Sequence, residues 1–154
     1  MCPLKWAKAK KIEDDIPNAG VCDQKGKVLK IVIIADLHGN YEAFRALPEG
    51  YDELWLLGDL VNYGPEPAAV VNFVKDKSTV DDELGVVSSS APGSLGQPKT
   101  GQPDACYAVW ADGAFELKSF PYAVDKTVGR LQALSFPHDV EKDLITVLRT
   151  GSVS

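Results

Sequence analysis

The sequence predicts an α/β fold, and three observations carry the prediction. Two short, nearly continuous apolar runs, VLKIVIIA (residues 28–35) and ELWLLGDLV (53–61), each precede a turn-rich loop and then a helical pattern. Runs of Val, Ile and Leu without alternation are the signature of strands covered on both faces, as in a layered sheet. The third observation is ACYAVWADGAFELKSF (105–120), two strand-like runs around Asp112-Gly113, a strong hairpin signal.

The elements follow in chain order. Residues 1–27 are mixed, with KAKK followed by EDD, and show no sustained period. They read as an extension before one domain over 28–154, and the basic cluster reads as a solvated one. After the first strand, Asn40 can cap a helix from Tyr41 to Leu47, which Pro48 and Gly50 stop. The second strand ends at Gly58-Asp59. The prolines of NYGPEP then suit the first turn of a helix from about Ala68 to about Lys75, whose Val70, Val71, Phe73 and Val74 make a core face. By composition alone, residues 78–103, with SSSAPGSLGQPKTGQP, read as a linker or long loop. Beyond the hairpin, Asp125 can cap a helix presenting Val128, Leu131 and Leu134. A last helix after Pro137 presents Val140, Leu144, Ile145 and Leu148, with Gly151 just past its end.

Composition excludes several classes of function. A chain of 154 residues with 45% hydrophobic content can bury a core and is neither disordered nor membranous. No apolar run approaches the roughly 20 residues of a membrane-spanning helix. A net charge of −6 argues against a nucleic-acid backbone as the main partner. Three cysteines, Cys2, Cys22 and Cys106, match neither a zinc pattern nor a disulfide framework. With no apolar signal-peptide core near the start, a cytoplasmic location is expected.

The chemistry concentrates at the ends of the two strands. Asp36 follows the last apolar residue of the first strand, and Asp59 closes the second. Neighbouring parallel strands lie about 4.8 Å apart, so two carboxylates there are close enough to share one cation, and without one they repel. His38 lies two residues beyond Asp36, where a tight turn through Gly39 can aim its imidazole at the same point. Two carboxylates and an imidazole suit Mn, Fe, Zn or Ni. Alternatively, an Asp after a strand is a turn former, and a lone His is a surface or core residue.

The stretches IVIIADLHGNYEAF and ELWLLGDLVNYGPEP resemble the amino-terminal half of the calcineurin-like metallophosphoesterases, most nearly their small bacterial and archaeal phosphodiesterase branch. APGSLGQPKTGQPDACYAVW and FELKSFPYAVDKTVGRLQ resemble that branch's later segments, in the same order. The resemblance implies a sandwich of layered sheets flanked by helices, and it makes GSLGQP an ordered loop near the site. It implies that Asp36 and His38 bind a first metal, that Asp59 bridges two metals, and that the three form the catalytic site. Gly39, Asn40 and Gly58 would support the loops and the substrate. The implied activity is two-metal hydrolysis of a small phosphate ester, foremost a phosphodiester.

The departures are equally specific. The branch's G-N-H-[DE] and G-H-x-H motifs and a further lone histidine do not occur, and the cut falls near residues 76–90. The expectation is therefore a truncated domain holding one ion or none, with impaired hydrolysis. A non-catalytic interaction module on the same fold and an inactive deletion product are the alternatives. His138, outside every matching segment, reads as a surface or capping residue, and Asp81, Asp82 and Glu83 as a solvated acidic run. Loss of the middle strands would expose the edge at Leu54–Leu57. The chain is then expected to form a homo-oligomer, or to close that edge with the hairpin around Asp112-Gly113.

Overall fold

The computed structural model describes residues 21–77 and 93–153. The extension up to residue 20, the deletion junction beyond residue 77, and Asp81, Asp82 and Glu83 lie outside the described residues. Among the described residues, four strands and four helices follow one another: β1 (Ile31–Ala35), α1 (Tyr41–Arg45), β2 (Glu53–Leu57), α2 (Pro67–Lys77), β3 (Ala105–Ala111), β4 (Ala114–Phe120), α3 (Val124–Gln132) and α4 (His138–Thr150). No helix among them is long and apolar enough to cross a membrane.

The strands make one mixed sheet in the order β2-β1-β3-β4. β1 is parallel to β2, with Ala35 opposite Leu57, and antiparallel to β3, with Ile31 opposite Trp110. β1 is buried along its whole length, as its unbroken apolarity predicts. Val32 and Ile34 face the main core with Phe44, Leu47, Val70, Tyr107, Val109 and Phe120. Ile31 and Ile33 face the other way, against Ala108 and the half-buried Trp55, Leu57 and Trp110. The hairpin turns at Asp112 (φ 52°) and Gly113 (φ 77°), consecutive left-handed residues that match the twist of paired strands.

The hairpin does not close the free edge of β2, as one sequence-based expectation had it. It pairs with the opposite edge of β1. The physical reason lies in burial: Ala105, Tyr107 and Val109 of β3 join the main core, and Ala108 meets the second face. Alongside the half-exposed β2 they would cover less apolar surface. Among the described residues, β2 therefore keeps an unpaired outer edge.

Helix α1 packs between α2 and α3, and α4 packs on α3. Pro67 opens α2, as its fixed φ and missing N–H allow. Two capping expectations diverge. Asp125 lies inside the first turn of α3, whose cap is Ala123 without a side-chain bond; the carboxylate instead meets Arg149 of α4 at 3.3 Å. Val140 is 40% exposed because the apolar stripe of α4 that meets α3 runs through Leu144, Ile145 and Leu148. Gly151 ends α4 in a left-handed conformation (φ 65°), as expected. His138 is the exposed first residue of α4.

Asn40 joins three parts of the fold and is 1% exposed. Its Oδ1 accepts from the backbone N–H of Ala43 at 3.1 Å, capping α1, and from the Thr127 hydroxyl at 3.0 Å. Its Nδ2 donates to the Gly96 carbonyl at 2.8 Å and to the Tyr122 hydroxyl at 3.0 Å. The amide's full bonding capacity is used. Burial pushes the Tyr122 phenol above its ordinary pKa, against the opposing effect of the Asn40 bond.

Asn40→Ala removes a cap and strands buried partners, so a loss of about 2–4 kcal/mol is expected in urea denaturation. In hydrogen exchange, alternate amides of β2 should exchange faster than those of β1, because among the described residues β1 is paired on both edges and β2 on one.

Candidate metal centre

The loops after β1 and β2 are built from backbone that side chains rarely adopt. Asp36, His38 and Asp59 have φ of 52°, 49° and 39°, and Asn62 and Tyr63 have 85° and 56°. Among the described residues only one other non-glycine, Asp112 in the hairpin turn, has a positive φ. Left-handed backbone costs a non-glycine residue roughly 1–2 kcal/mol, least for Asn, Asp and His. Its concentration at one end of two adjacent strands marks a place where geometry is held against local preference.

Hydrogen bonds between the loops hold it. The His38 N–H donates to the Asp59 carbonyl at 3.0 Å, and the Gly39 N–H to the Leu60 carbonyl at 2.9 Å, extending the β1–β2 pairing past the strand ends. The Glu66 N–H donates to the Gly39 carbonyl at 2.9 Å. Gly39 (φ 65°) and Gly58 (φ 71°) supply the sharp bends expected of them. Gly64 allows the closest approach: a Cβ there would stand 1.8 Å from the His38 carbonyl oxygen.

Residues 93–98 close the site from a third side. The Leu95 N–H donates to the Ala35 carbonyl at 3.0 Å, and the Gly96 N–H to the Asp36 carbonyl at 2.9 Å. The Ser94 hydroxyl also donates to the Asp36 carbonyl, at 3.0 Å. Leu95 is fully buried, and a Cβ on Gly96 would lie 1.8 Å from the Leu37 carbonyl oxygen. GSLGQP is thus an ordered loop against the site, and the linker reading from composition is corrected for these residues. The bonds come from backbone contacts some sixty positions apart in the chain, which polar, Gly-rich composition does not reveal.

The three side chains singled out at the strand ends converge. Asp36, His38 and Asp59 each offer a ligand atom, and these atoms lie within 4.8 Å of one another. His38 is buried, Asp36 half-buried and Asp59 exposed, so the cluster opens to solvent on the Asp59 side. The Nδ1 atom of His38 is buried with no hydrogen-bond partner. An unpartnered buried nitrogen is unfavourable for folding alone, by about 1–3 kcal/mol. It fits a group built to hold a divalent cation, with the mixed O, O, N donors that Mn, Fe, Zn or Ni accept.

Three neighbours were not singled out from the sequence. Tyr63 lays its ring against His38, edge to face, with centroids 5.4 Å apart. Ser94 ties the third loop to Asp36. Arg130 of α3 reaches Glu42 of α1 at 2.7 Å and also bonds Glu66, anchoring the loop that carries Tyr63. The Asn-Tyr-Gly-Pro string, read as a turn, was the available signal.

Fold and site together define a carboxylate–imidazole cluster, a candidate metal centre, at the carboxyl ends of two parallel strands. Residues 29–83 match the family model of calcineurin-like phosphoesterases. Over 31% of its length the chain is 44% identical to a symmetrical bis(5'-nucleosyl)-tetraphosphatase from Nitrosospira multiformis. Over 28% it is 45% identical to its namesake from Glaesserella parasuis. These matches span only 20% and 18% of the relatives' own lengths. A solved metallophosphoesterase from Sphaerobacter thermophilus shares the fold with a TM-score of 0.66 at 16% identity, over 80% of this chain and 100% of that one. Residues 29–83 are thus similar to the calcineurin-like phosphoesterases, and the chain has the fold of a metallophosphoesterase.

Gly64→Ala should drive the Asn62–Pro65 turn away from His38, since the clash is with backbone that cannot yield. A stability loss of about 1–3 kcal/mol in thermal denaturation and a roughly tenfold weaker affinity for Mn by calorimetry are expected.

Proposed function

We propose that the chain binds a divalent metal through Asp36, His38 and Asp59 and hydrolyses phosphodiester-type linkages, more slowly than a complete two-metal enzyme. The convergence of these three side chains on one point carries the reading. The match of residues 29–83 to the calcineurin-like phosphoesterase model supports the reaction class, and the names of the relatives, symmetrical bis(5'-nucleosyl)-tetraphosphatases, support a substrate with phosphate between two organic groups.

Each residue has a part that follows from its position. Asp36 and Asp59 supply negative charge from neighbouring strand ends, and His38 completes a three-ligand set from the buried side. Gly39 and Gly58 bend the loops so that ligands two residues apart share one point, and Asn40 holds the first loop to the core. A metal held by Asp36, His38 and Asp59 would supply Lewis-acid chemistry, polarising a phosphoryl oxygen and activating water for attack. The open side at Asp59 admits the anionic ester, whose charge the acidic chain would otherwise repel. The sequence carries no G-N-H-[DE] or G-H-x-H motif to complete a second metal's ligands, and slow turnover is the consequence.

A second reading has its own support. On the sheet face away from the helices, Phe115 and Leu117 are 63% and 72% exposed beside Trp110 and Ala108. An apolar sheet face of this kind suits a protein-binding module on the same fold.

Titration with Mn distinguishes them. At about a hundredfold excess over Kd, Mn should raise Tm by roughly 5–10 °C in the native chain. In Asp59→Asn the shift should largely vanish. Hydrolysis of bis(p-nitrophenyl) phosphate that requires Mn and disappears with the same substitution supports the hydrolase. Mn uptake with no turnover assigns the chain to the binding module.

A further inference from the structure

Resting on the metal-site reading above, we infer that Tyr63 is a specificity-determining residue: its ring stacks on a planar aromatic group ester-linked to the phosphate at the metal site. Three observations carry this. The ring is 60% exposed, among the most exposed large apolar side chains of the described residues. It nevertheless stands against a metal ligand, with its centroid 5.4 Å from that of His38 and the planes at 72°. Its backbone is left-handed (φ 56°), next to a second left-handed residue, Asn62 (φ 85°).

The third point excludes an ordinary surface tyrosine. A β-strand or helix would present a tyrosine without conformational cost, whereas here two non-glycine residues in sequence are held in an unfavourable region. The surrounding contacts impose it. Gly64 lies against the His38 carbonyl oxygen, its N–H donates to the Asn62 carbonyl at 2.6 Å, and Glu66 is bonded to Gly39 through its backbone and to Arg130 through its side chain. The turn can neither relax outward nor collapse inward. It keeps an aromatic surface at the rim of the site, on the element that also carries Asp59.

The chemistry selects a ligand class. A phosphate held by the metal leaves its ester substituent at the rim. An aliphatic substituent gains little from a flat, polarisable ring; a nucleobase or an aryl group gains stacking. Stacking on one aromatic side chain changes affinity by about fivefold or more. The shared feature is a planar π-system on a phosphate ester, and a nucleoside and a directly attached aryl group are its two sources.

Calorimetry on the Mn-loaded full chain tests this without relying on turnover. The ligands are adenosine 5'-monophosphate, phenyl phosphate and ribose 5-phosphate; the variants are Tyr63→Phe and Tyr63→Leu; Mn affinity is measured for each protein. Adenosine monophosphate or phenyl phosphate should bind at least about fivefold tighter than ribose 5-phosphate. That preference should survive in Phe and vanish in Leu, with Mn affinity unchanged. Tighter binding of the adenosine ester than of the phenyl ester assigns a nucleoside, and the reverse order an aryl group. Equal binding of all three ligands overturns the inference and leaves the metal site standing. So does a preference that persists in Leu, or one lost in Phe, which would point to the hydroxyl. A Leu variant that loses Mn overturns it too, since Tyr63 would then act through His38. If the native chain takes up no Mn, the metal-site reading fails, and this inference with it.

Discussion

Two backbone hydrogen bonds, from His38 to Asp59 and from Gly39 to Leu60, clasp the loops that leave β1 and β2. Everything at the site depends on this clasp. Three prospective ligands sit in left-handed backbone, and none would stay there on local energetics alone. The neighbouring strands bring the loops within reach, and the paired amides carry the sheet's order past its last residues. Among the described residues the strain is thereby concentrated, Asp112 of the hairpin apart, where two carboxylates and an imidazole converge, a distribution typical of functional sites.

The clasp is held in turn by tightly fitted glycines and one buried amide. Gly64 and Gly96 approach carbonyl oxygens so closely that no side chain fits at either. Asn40 joins the first loop to α1, to the segment around Gly96 and to Thr127 of α3. The site is therefore framed by contacts from four stretches of chain that are distant in sequence. Glu42, only 4% exposed, meets Arg130, which also holds Glu66. A buried carboxylate needs such a partner, and its partner links α3 to the loop bearing Tyr63. The loops bearing Asp36, His38 and Asp59, the helical layer and Tyr63 are thus mechanically joined.

The sheet is lopsided. One face carries α1, α2 and the rest of the main core; the other carries Ile31, Ile33 and Ala108 beneath half-buried Trp55, Leu57 and Trp110, with Phe115 and Leu117 open. The sandwich expected from the resemblance has layered sheets, whereas the described residues form a single sheet with helices. The α/β class and the metallophosphoesterase-type fold hold. β2 remains at the sheet's margin because the hairpin finds more apolar surface to cover on the far side of β1.

Strands, helices and the hairpin were legible in the sequence because each depends on a short-range pattern: the apolar run of Ile31–Ala35, the Asp112-Gly113 turn, the glycine after Thr150. The convergence of Asp36, His38 and Asp59 was legible for a similar reason, since a strand's last residues project from a predictable place. What the sequence misjudged required partners far along the chain. GSLGQP is polar and Gly-rich, as linkers are, and its order comes from carbonyl groups of Ala35 and Asp36. The choice of hairpin edge, the helix-to-helix pairing of Asp125 with Arg149 and the placing of Tyr63 against His38 are likewise outcomes of packing. By itself, then, the sequence determined which elements form and which side chains stand at the strand ends, because periodicity and turn chemistry act locally. Only the tertiary structure decided what those side chains face, because burial and hydrogen bonding between distant segments select one arrangement among several that the local rules permit.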